Sequence, residues 1–306
     1  MKKPWMQQAG VLLCFLAAGT AALGSELTEA RKGFVTQLVK KEKAGFAAEA
    51  PPPGVLQSVK YAGPLGQMDA YLSPAPSDQK RHPAIIWLTG GFSNSIGSVA
   101  WEKAPKDNDQ SAAGFREAGI VTLYPSLRGG NENPGVIETL YGEVDDVIAA
   151  AAFLAQQAFV DPERIYLGGH STGGTLALLV AESTPRFRAI FALGPASDIR
   201  GYGAKELPFD LAQVKEARLR SPAPWLNGIE TPTYVFEGEE QPSNIVSVTM
   251  MAKRCRNPKV RFLPIPRGTH FSIVFPLVKT IAEQILHDTK KDPAIEFTHL
   301  EALLNP

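Results

Sequence analysis

From residue 84 onward, the chain alternates short, almost uninterrupted apolar segments with longer stretches of helical pattern. The apolar segments hold four to six residues each, and they span 84–88, 120–124, 164–167, 188–193, 233–236 and 260–263. Strands that are buried on both faces have this composition, and parallel strands need a long crossover, usually a helix, between them. The alternation therefore predicts the α/β class, with a mostly parallel sheet and helices on both faces.

The segments 57–61 and 67–72 flank a Gly-Pro turn and predict an N-terminal antiparallel hairpin. We expect one α/β domain over residues 55–288, preceded by a helical lead-in over 25–54 and followed by a tail over 289–306. Residues 195–229 form the longest excursion between strands. They predict either a small cap over a functional site or an ordinary surface insertion.

The first 24 residues have the pattern of an export signal. Lys2 and Lys3 precede a charge-free apolar run over 11–23, and small residues follow it. We expect cleavage after Gly24 and a periplasmic or secreted protein. Cys255 is then the one cysteine left, so no disulfide within the mature chain is expected.

The charge balance argues against some classes of partner. Lys and Arg together number 31, as do Asp and Glu, so the chain has no net field to attract nucleic acid or an anionic membrane. We therefore expect no nucleic-acid partner and no stable membrane association after signal cleavage. The sequence has no cluster of His and Cys ligands, so it predicts no metal and no cofactor. It does not indicate an oligomeric state.

Residues 168–174 read Gly-Gly-His-Ser-Thr-Gly-Gly and contain the pattern Gly-x-Ser-x-Gly between a predicted strand and an apolar helix. There the chain must turn sharply, and the flanking glycines leave room for a strained serine at its tip. The helix that follows aims its N-terminal amides at the serine, where they favour developing negative charge. The pattern predicts that Ser171 is a nucleophile; the alternative is a turn that only packs strand on helix.

A serine nucleophile needs a base and a carboxylate that orients the base. His270 follows the last predicted strand, and loops that leave the carboxyl ends of parallel strands open on one edge of the sheet. It is the expected base. The acid should follow the strand over 233–236, which favours Glu240, with Glu239 as an alternative and Asp198 in reserve.

The tetrahedral intermediate of acyl transfer needs two hydrogen-bond donors for its oxyanion. One is expected to be the backbone amide of Thr172. The other is expected from Gly91 or Phe92, because the Gly-Gly pair after the first buried strand lets the backbone approach a substrate. A simple glycine turn is the alternative for that loop.

Four motifs resemble those of the α/β-hydrolases, and more narrowly those of the prolyl-oligopeptidase family and its dienelactone-hydrolase-like relatives. They are Gly-His-Ser-Thr-Gly-Gly at 169–174, Ser-Leu-Arg-Gly-Gly at 126–130, Glu-Val-Asp-Asp at 143–146 and Gly-Thr-His-Phe at 268–271. The resemblance covers roughly residues 55–288. It implies hydrolysis of a small-molecule ester or peptide bond through an acyl-serine intermediate.

The chain departs from the family in two places. Where the family has His-Gly-x-x-Asp after the penultimate strand, Glu237 replaces the histidine and Gln241 the aspartate. The β-propeller of the large members is also missing, since only some 30 residues separate the predicted signal from the hairpin. We therefore expect an exported serine hydrolase, an esterase or peptidase. The alternatives are a non-catalytic binding protein that has lost its acid and an acyltransferase with the same triad.

Overall fold

The computed structural model describes residues 25–304, so the predicted export signal over 1–24 lies outside the described residues. Eight strands form one sheet in the spatial order β1-β2-β4-β3-β5-β6-β7-β8. They are β1 (Gln57–Gly63), β2 (Gly66–Leu72), β3 (His82–Leu88), β4 (Val121–Pro125), β5 (Val160–His170), β6 (Ile190–Leu193), β7 (Thr233–Gly238) and β8 (Val260–Ile265).

The strand directions follow the expected pattern. The hairpin β1-β2 is antiparallel, β2 pairs antiparallel with β4, and all the remaining neighbours are parallel. Because β3 to β8 run in one direction, their carboxyl ends meet at a single edge of the sheet. The loops after β3, β5, β7 and β8, which carry the expected functional residues, open at that edge.

Helices cover both faces of the sheet, as expected for parallel strands that are buried on both sides. The helices are α1 (Glu26–Arg31), α2 (Ala113–Glu117), α3 (Glu143–Ala155), α4 (Thr172–Ala181), α5 (Val214–Leu219), α6 (Ile245–Arg254) and α7 (Val274–His287). One hydrophobic cluster joins α1, α3, α4, α5 and α6 to the sheet, and the other joins α2 and α7 to the opposite face. The two clusters make this an α/β sandwich with its core on both sides of the sheet.

The helical lead-in is shorter than the sequence predicted. Helix α1 ends at Arg31, and Gly33 follows with a φ of 66°, a conformation that stops a helix. The chain then runs extended along the surface, where Val39 donates its backbone N–H to Pro208 and Ala44 donates to Gly129. Tertiary hydrogen bonds of this kind satisfy the backbone of the segment in place of helical ones.

Residues 195–229 form short turns and α5 rather than a separate layer. Leu207, Phe209 and Leu226 are buried in the cluster on the α4 face, so most of this segment belongs to the core. Tyr202 extends toward the carboxyl edge of the sheet, where its ring meets Phe92 edge-on at 5.2 Å. The Tyr202 hydroxyl also shares a hydrogen bond with Thr175 in the first turn of α4, and Ala196 donates its N–H to the same Thr175 hydroxyl. The segment thus touches the functional edge through Ala196 and Tyr202.

The chain after α7 folds back over the β7 and β8 end of the sheet. Phe297 packs its ring on Tyr234 and Phe236, and Arg188 pairs with the buried carboxylate of Asp288 at 2.6 Å. Across the part of the chain that the structure describes, no helix combines the length and the apolar character that crossing a bilayer requires.

Glu182, at the end of α4, is a buried acidic residue whose ionisation tests the packing on the α4 face of the sheet. The residue is 1% exposed, and within the described chain neither of its carboxyl oxygens has a hydrogen-bond partner. Burial, with a smaller contribution from Cys255, raises the pKa of Glu182 well above its usual range. The folded state therefore favours the neutral acid. The contribution of neutral Glu182 to folding stability is present below the ordinary glutamate pKa of about 4.3, and it is lost as pH rises from there through the raised pKa of the folded state.

We predict that the melting temperature of Glu182→Gln increases relative to that of the wild type as pH rises from 4.5 to 8, because the variant has no charge to bury. Thermal melting across this range measures the difference. Glu163→Gln, at an exposed glutamate, is the matched control and should follow the wild type. A difference between Glu182→Gln and wild type that does not change with pH would contradict the prediction.

Candidate active site

Ser171 lies in the sharp turn between β5 and α4 and has an unusual backbone conformation. Its φ of 57° and ψ of −117° fall outside the regions that side chains ordinarily allow. The turn is held from both sides, because the Ser171 N–H donates to Leu193 at 2.8 Å and its carbonyl accepts from Thr175 at 2.9 Å. The strained serine is therefore fixed at the carboxyl edge of the sheet, as the Gly-x-Ser-x-Gly pattern predicts.

The second glycine of the pattern allows α4 to begin directly against β3. A Cβ atom at Gly173 would lie 2.2 Å from the carbonyl oxygen of Leu88, so a larger residue cannot occupy this position without displacing the helix. The close approach brings the first turn of α4 beside the loop that follows β3. Thr172 then donates its hydroxyl to the carbonyl of Gly91 across this junction.

His270 lies in the loop between β8 and α7, and its imidazole contacts a buried carboxylate. The carboxylate belongs to Glu237, near the end of β7, and its Oε2 lies 3.0 Å from His270 Nδ1. Glu237 is fully buried, and it also accepts backbone N–H bonds from Gly238 at 2.8 Å and Asn244 at 3.0 Å. Because Nδ1 is engaged by Glu237, Nε2 is the ring nitrogen that remains for a reacting group.

The acidic residues that the sequence favoured lie elsewhere. Glu239 and Glu240 are exposed, and they contact the His270 loop through their backbones, donating N–H bonds to Ile265 and Gly268. Asp198 pairs with Arg200 and caps the turn after it. The sequence favoured Glu240 as the carboxylate that orients His270, and the structure has Glu237 in that place. Strand β7 continues two residues further than expected, and its own Glu237 reaches the imidazole.

A signal for Glu237 was present in the sequence. The apolar pattern over 233–236 predicts a strand that ends before Glu237, and the family's His-Gly-x-x-Asp pattern favours an acid in the loop beyond it. All six residues of β7 are buried. A charged residue that directly continues a buried strand needs a partner of its own, which is a reason to consider it before the carboxylates of the loop.

Because Gly194 has no side chain, it leaves space for the imidazole of His270. It follows β6 with a φ of 62°, and a Cβ atom there would lie 2.4 Å from His270 Cε1 and 2.6 Å from Nδ1. Gly194 directly follows Leu193, whose carbonyl receives the N–H of Ser171. Strand β6 therefore brings the nucleophile turn and the His270 ring to the same short stretch of backbone.

The loop after β3 lies on the other side of Ser171. A Cβ atom at Gly90 would lie 3.1 Å from the Ser171 Cβ, so the loop backbone passes directly beside Ser171. Gly91 and Phe92, the expected oxyanion donors with Thr172, follow in the same loop. The hydrogen bond from the Thr172 hydroxyl to the Gly91 carbonyl keeps the first turn of α4 and the loop after β3 in a fixed relation.

A buried polar network supports that loop from below. Asn94 donates its amide to Glu143 at 3.0 Å and to the carbonyl of Arg128 at 2.7 Å. Arg128 in turn makes a two-pronged ion pair with the fully buried Asp146 and a second pair with Glu138. The motifs at 126–130 and 143–146 thus act structurally, since they anchor the loop that faces Ser171.

An open cleft of about 660 Å³ adjoins Ser171. Its lining includes Gly90, Gly91, Ser111, His170 and Phe271, together with residues of the 98–110 loop. A smaller cavity of about 50 Å³, lined by both apolar and polar side chains, lies beneath the Gly91–Asn94 loop. Within residues 25–304, no three His, Cys, Asp or Glu side chains are grouped as ligands for a metal ion.

Comparison with known proteins finds similarity to one family over part of the chain. The family described as "Prolyl oligopeptidase family" matches residues 107–227. A thiohydrolase from Arthrinium phaeospermum is 28% identical over 156 residues, which are 49% of this chain and 48% of that protein. The matched region thus spans about half the length of this relative.

Solved structures share the fold at low sequence identity. An esterase from Pyrobaculum calidifontis matches with a TM-score of 0.53 and 18% identity, covering 76% of this chain and 86% of the esterase. An acylaminoacyl peptidase from Pyrococcus horikoshii matches with a TM-score of 0.60 and 16% identity, covering 81% of this chain and 44% of the peptidase. The chain has the α/β-hydrolase fold that its motifs predicted, and the comparisons support the class of serine hydrolases.

Gly194 provides a test of the site's geometry. We predict that Gly194→Ala lowers the rate of hydrolysis of a short ester about 10²-fold, because the added methyl group pushes the His270 ring out of place and the alanine must adopt a positive φ. Gly201→Ala is the matched control, since a Cβ there meets nothing within 4 Å. Rates of hydrolysis of a short p-nitrophenyl ester decide, and equal rates for the two variants would contradict this reading of the site.

Proposed function

We propose that this α/β-hydrolase, similar over 107–227 to the prolyl oligopeptidase family, cleaves an ester or amide bond through an acyl-serine intermediate. The observation that carries the proposal is the buried pair of Glu237 and His270, at the same edge of the sheet as the strained Ser171. A nucleophile, a base and an orienting carboxylate are the three groups that this chemistry requires.

In the first step, Ser171 Oγ attacks the carbonyl carbon of the substrate while its proton passes to His270 Nε2. The imidazolium that forms is stabilised by Glu237, whose carboxylate faces Nδ1 at 3.0 Å. Because Glu237 also accepts two backbone N–H bonds, it is held in place for this role without reorganisation.

The negative charge that develops on the carbonyl oxygen falls between the first turn of α4 and the loop after β3. We assign the backbone amide of Thr172 and one amide of Gly91 or Phe92 as its donors. Two hydrogen bonds support this assignment: one from the Thr172 hydroxyl to the Gly91 carbonyl and one from the Asn94 amide to Glu143. They hold both segments in place before substrate binds. Donors fixed in advance stabilise a transition state more than donors that must first be oriented.

The intermediate collapses as the bond from the carbonyl carbon to the leaving group breaks. His270 gives its proton to the departing alcohol or amine, and the acyl group stays on Ser171 Oγ. Water then attacks the acyl carbon and passes a proton to Nε2. The bond to Oγ breaks, the proton returns to Oγ, and a carboxylic acid leaves.

The open cleft beside Ser171 supports a small substrate. It contains charged and amide side chains, including Glu102, Lys103 and Asn108, as well as apolar surface at Val99 and Phe271. A cleft of about 660 Å³ lies within the usual range for small-molecule sites. The proposal therefore places small esters, or the amides of short peptides, before long polymers.

Paired variants at two glutamates test the proposal. Ser171→Ala should abolish labelling by a fluorophosphonate probe and lower hydrolysis of p-nitrophenyl acetate by at least about 10³-fold. Glu237→Gln should lower kcat about 10²–10⁴-fold, since the imidazolium loses its counter-charge.

Glu240→Gln is the matched control for Glu237→Gln, because Glu240 is exposed and its side chain is not among the described contacts of His270. It should stay within about twofold of the wild type. Equal loss in the two glutamate variants, or labelling that persists in Ser171→Ala, would overturn the proposed function.

Export is part of the proposal as well, and it is supported by Lys2, Lys3 and the apolar run over 11–23. The protein recovered from the periplasm or the medium should begin at Ser25, as measured by N-terminal sequencing or intact mass. Recovery of the chain only from the cytoplasm, with Met1 or Lys2 at its start, would contradict this part.

A further inference from the structure

His170 precedes the nucleophile, but its imidazole is directed at the loop that carries the base. The side chain is 1% exposed, and its ring centroid lies 4.5 Å from that of His270 and 5.8 Å from that of Phe271. No step of the proposed reaction uses this buried imidazole. Its contacts therefore raise the question of what it contributes.

The first contact is a hydrogen bond to the backbone of the base. His170 Nε2 lies 2.9 Å from the carbonyl oxygen of His270. A carbonyl oxygen only accepts, so Nε2 carries the proton and donates it. On the other side of the same residue, the His270 N–H donates to the carbonyl of Pro242 at 2.7 Å. The peptide groups on both sides of the base are thus held by hydrogen bonds.

The charge state of His170 follows from its surroundings. Burial lowers the pKa of His170 to about 3, and repulsion by the charge on His270 acts in the same direction, while the bond to the His270 carbonyl opposes them. The ring is therefore neutral at the pH values at which serine hydrolases work. With its single proton on Nε2, its Nδ1 must accept a hydrogen bond.

The second contact provides that donor. The atom 3.0 Å from His170 Nδ1 is Gln110 Oε1, and a neutral Nδ1 and an amide oxygen would both be acceptors. We therefore assign the Gln110 amide with its O and N exchanged, so that the NH₂ faces the ring and donates to Nδ1. Gln110 Nε2 lies 3.0 Å from Asn108 Oδ1, and the same exchange in the Asn108 amide keeps this contact between a donor and an acceptor. Asn108, Gln110 and Ser171 all line the open cleft. A chain of hydrogen bonds thus leads from the cleft wall to the backbone of the base.

We propose that His170 is a positioning residue that holds the backbone of His270 in register with Ser171 and connects it, through Gln110, to the wall of the substrate cleft. The inference rests on the proposed function, and it adds a residue that neither binds substrate nor exchanges protons. Its loss should slow the chemical step more than it weakens substrate binding, because the base shifts while the cleft stays open.

Three substitutions separate the hydrogen bond from the packing. His170→Phe keeps a ring of similar shape without a donor, whereas His170→Gln places an amide N–H near the position of Nε2. His82→Phe, at a half-buried surface histidine that pairs with Asp78, is the matched control.

In hydrolysis of p-nitrophenyl acetate, we expect kcat of His170→Phe to fall about 10–100-fold while KM stays within about threefold. If kcat of His170→Phe falls a hundredfold, kcat of His170→Gln should be at least about tenfold higher than that of His170→Phe. The kcat of His82→Phe should stay within about twofold of the wild type. If His170→Phe fails to fold, His170→Asn replaces it, since the shorter amide lies near Nδ1 and does not reach the His270 carbonyl.

The link to the cleft wall has its own measurement. Gln110→Met should lower kcat several-fold in the wild-type background and have no further effect in His170→Phe, because both changes break one chain of contacts. In spectra of protein labelled with ¹⁵N in histidine, His170 should remain neutral with its proton on Nε2 from pH 5 to 8.

Three results would overturn the inference alone, in a wild type that is labelled at Ser171 and hydrolyses the ester. They are an unchanged kcat in His170→Phe, equal losses in His170→Phe and His170→Gln, and a His170 ring that titrates between pH 5 and 8. A wild type that is neither labelled nor active would instead overturn the proposed function, and the inference with it.

Discussion

A carboxylate that is buried at the end of a central strand sets the arrangement of this molecule's functional edge. Glu237 is fully buried, and a charge withdrawn from water costs several kcal/mol unless its environment compensates for the loss of hydration. Here the compensation comes from the imidazole of His270 and from two backbone N–H groups, one of which begins the approach to α6. The loops after β7 and β8 converge because this one group needs partners from both.

The two halves of the candidate site are supported by different means. On the base side, His170 and Pro242 hold the peptide groups around His270, and Gly194 leaves room for its ring. On the oxyanion side, Asn94 connects the loop after β3 to a buried network of Arg128, Asp146 and Glu143. Both supports are buried, while the cleft between them is open. Rigid walls around an open cleft are what positioning a small substrate requires.

The sequence predicted those features that depend on strong periodicity and on topology. Buried parallel strands leave long apolar signals, and once they are recognised, the shared carboxyl edge brings Ser171 and His270 to one side of the sheet. Prediction failed where the exact end of a strand mattered, as at Glu237, and where tertiary contacts replaced local preference, as in the segment after Arg31. The hydrogen bonds of His170 could not be read from the sequence, since they join residues 60 and 100 positions apart.

The central claim is that Ser171, His270 and Glu237 act together on one reacting carbonyl group. A crystal structure of the protein inactivated by a short alkyl fluorophosphonate tests it most directly. The account predicts a bond from phosphorus to Ser171 Oγ, a phosphonyl oxygen within hydrogen-bond reach of the Thr172 amide, and the His270 ring between the adduct and Glu237. An adduct on another residue, or a His270 ring in contact with Glu237 but directed away from the phosphonate, would contradict the account.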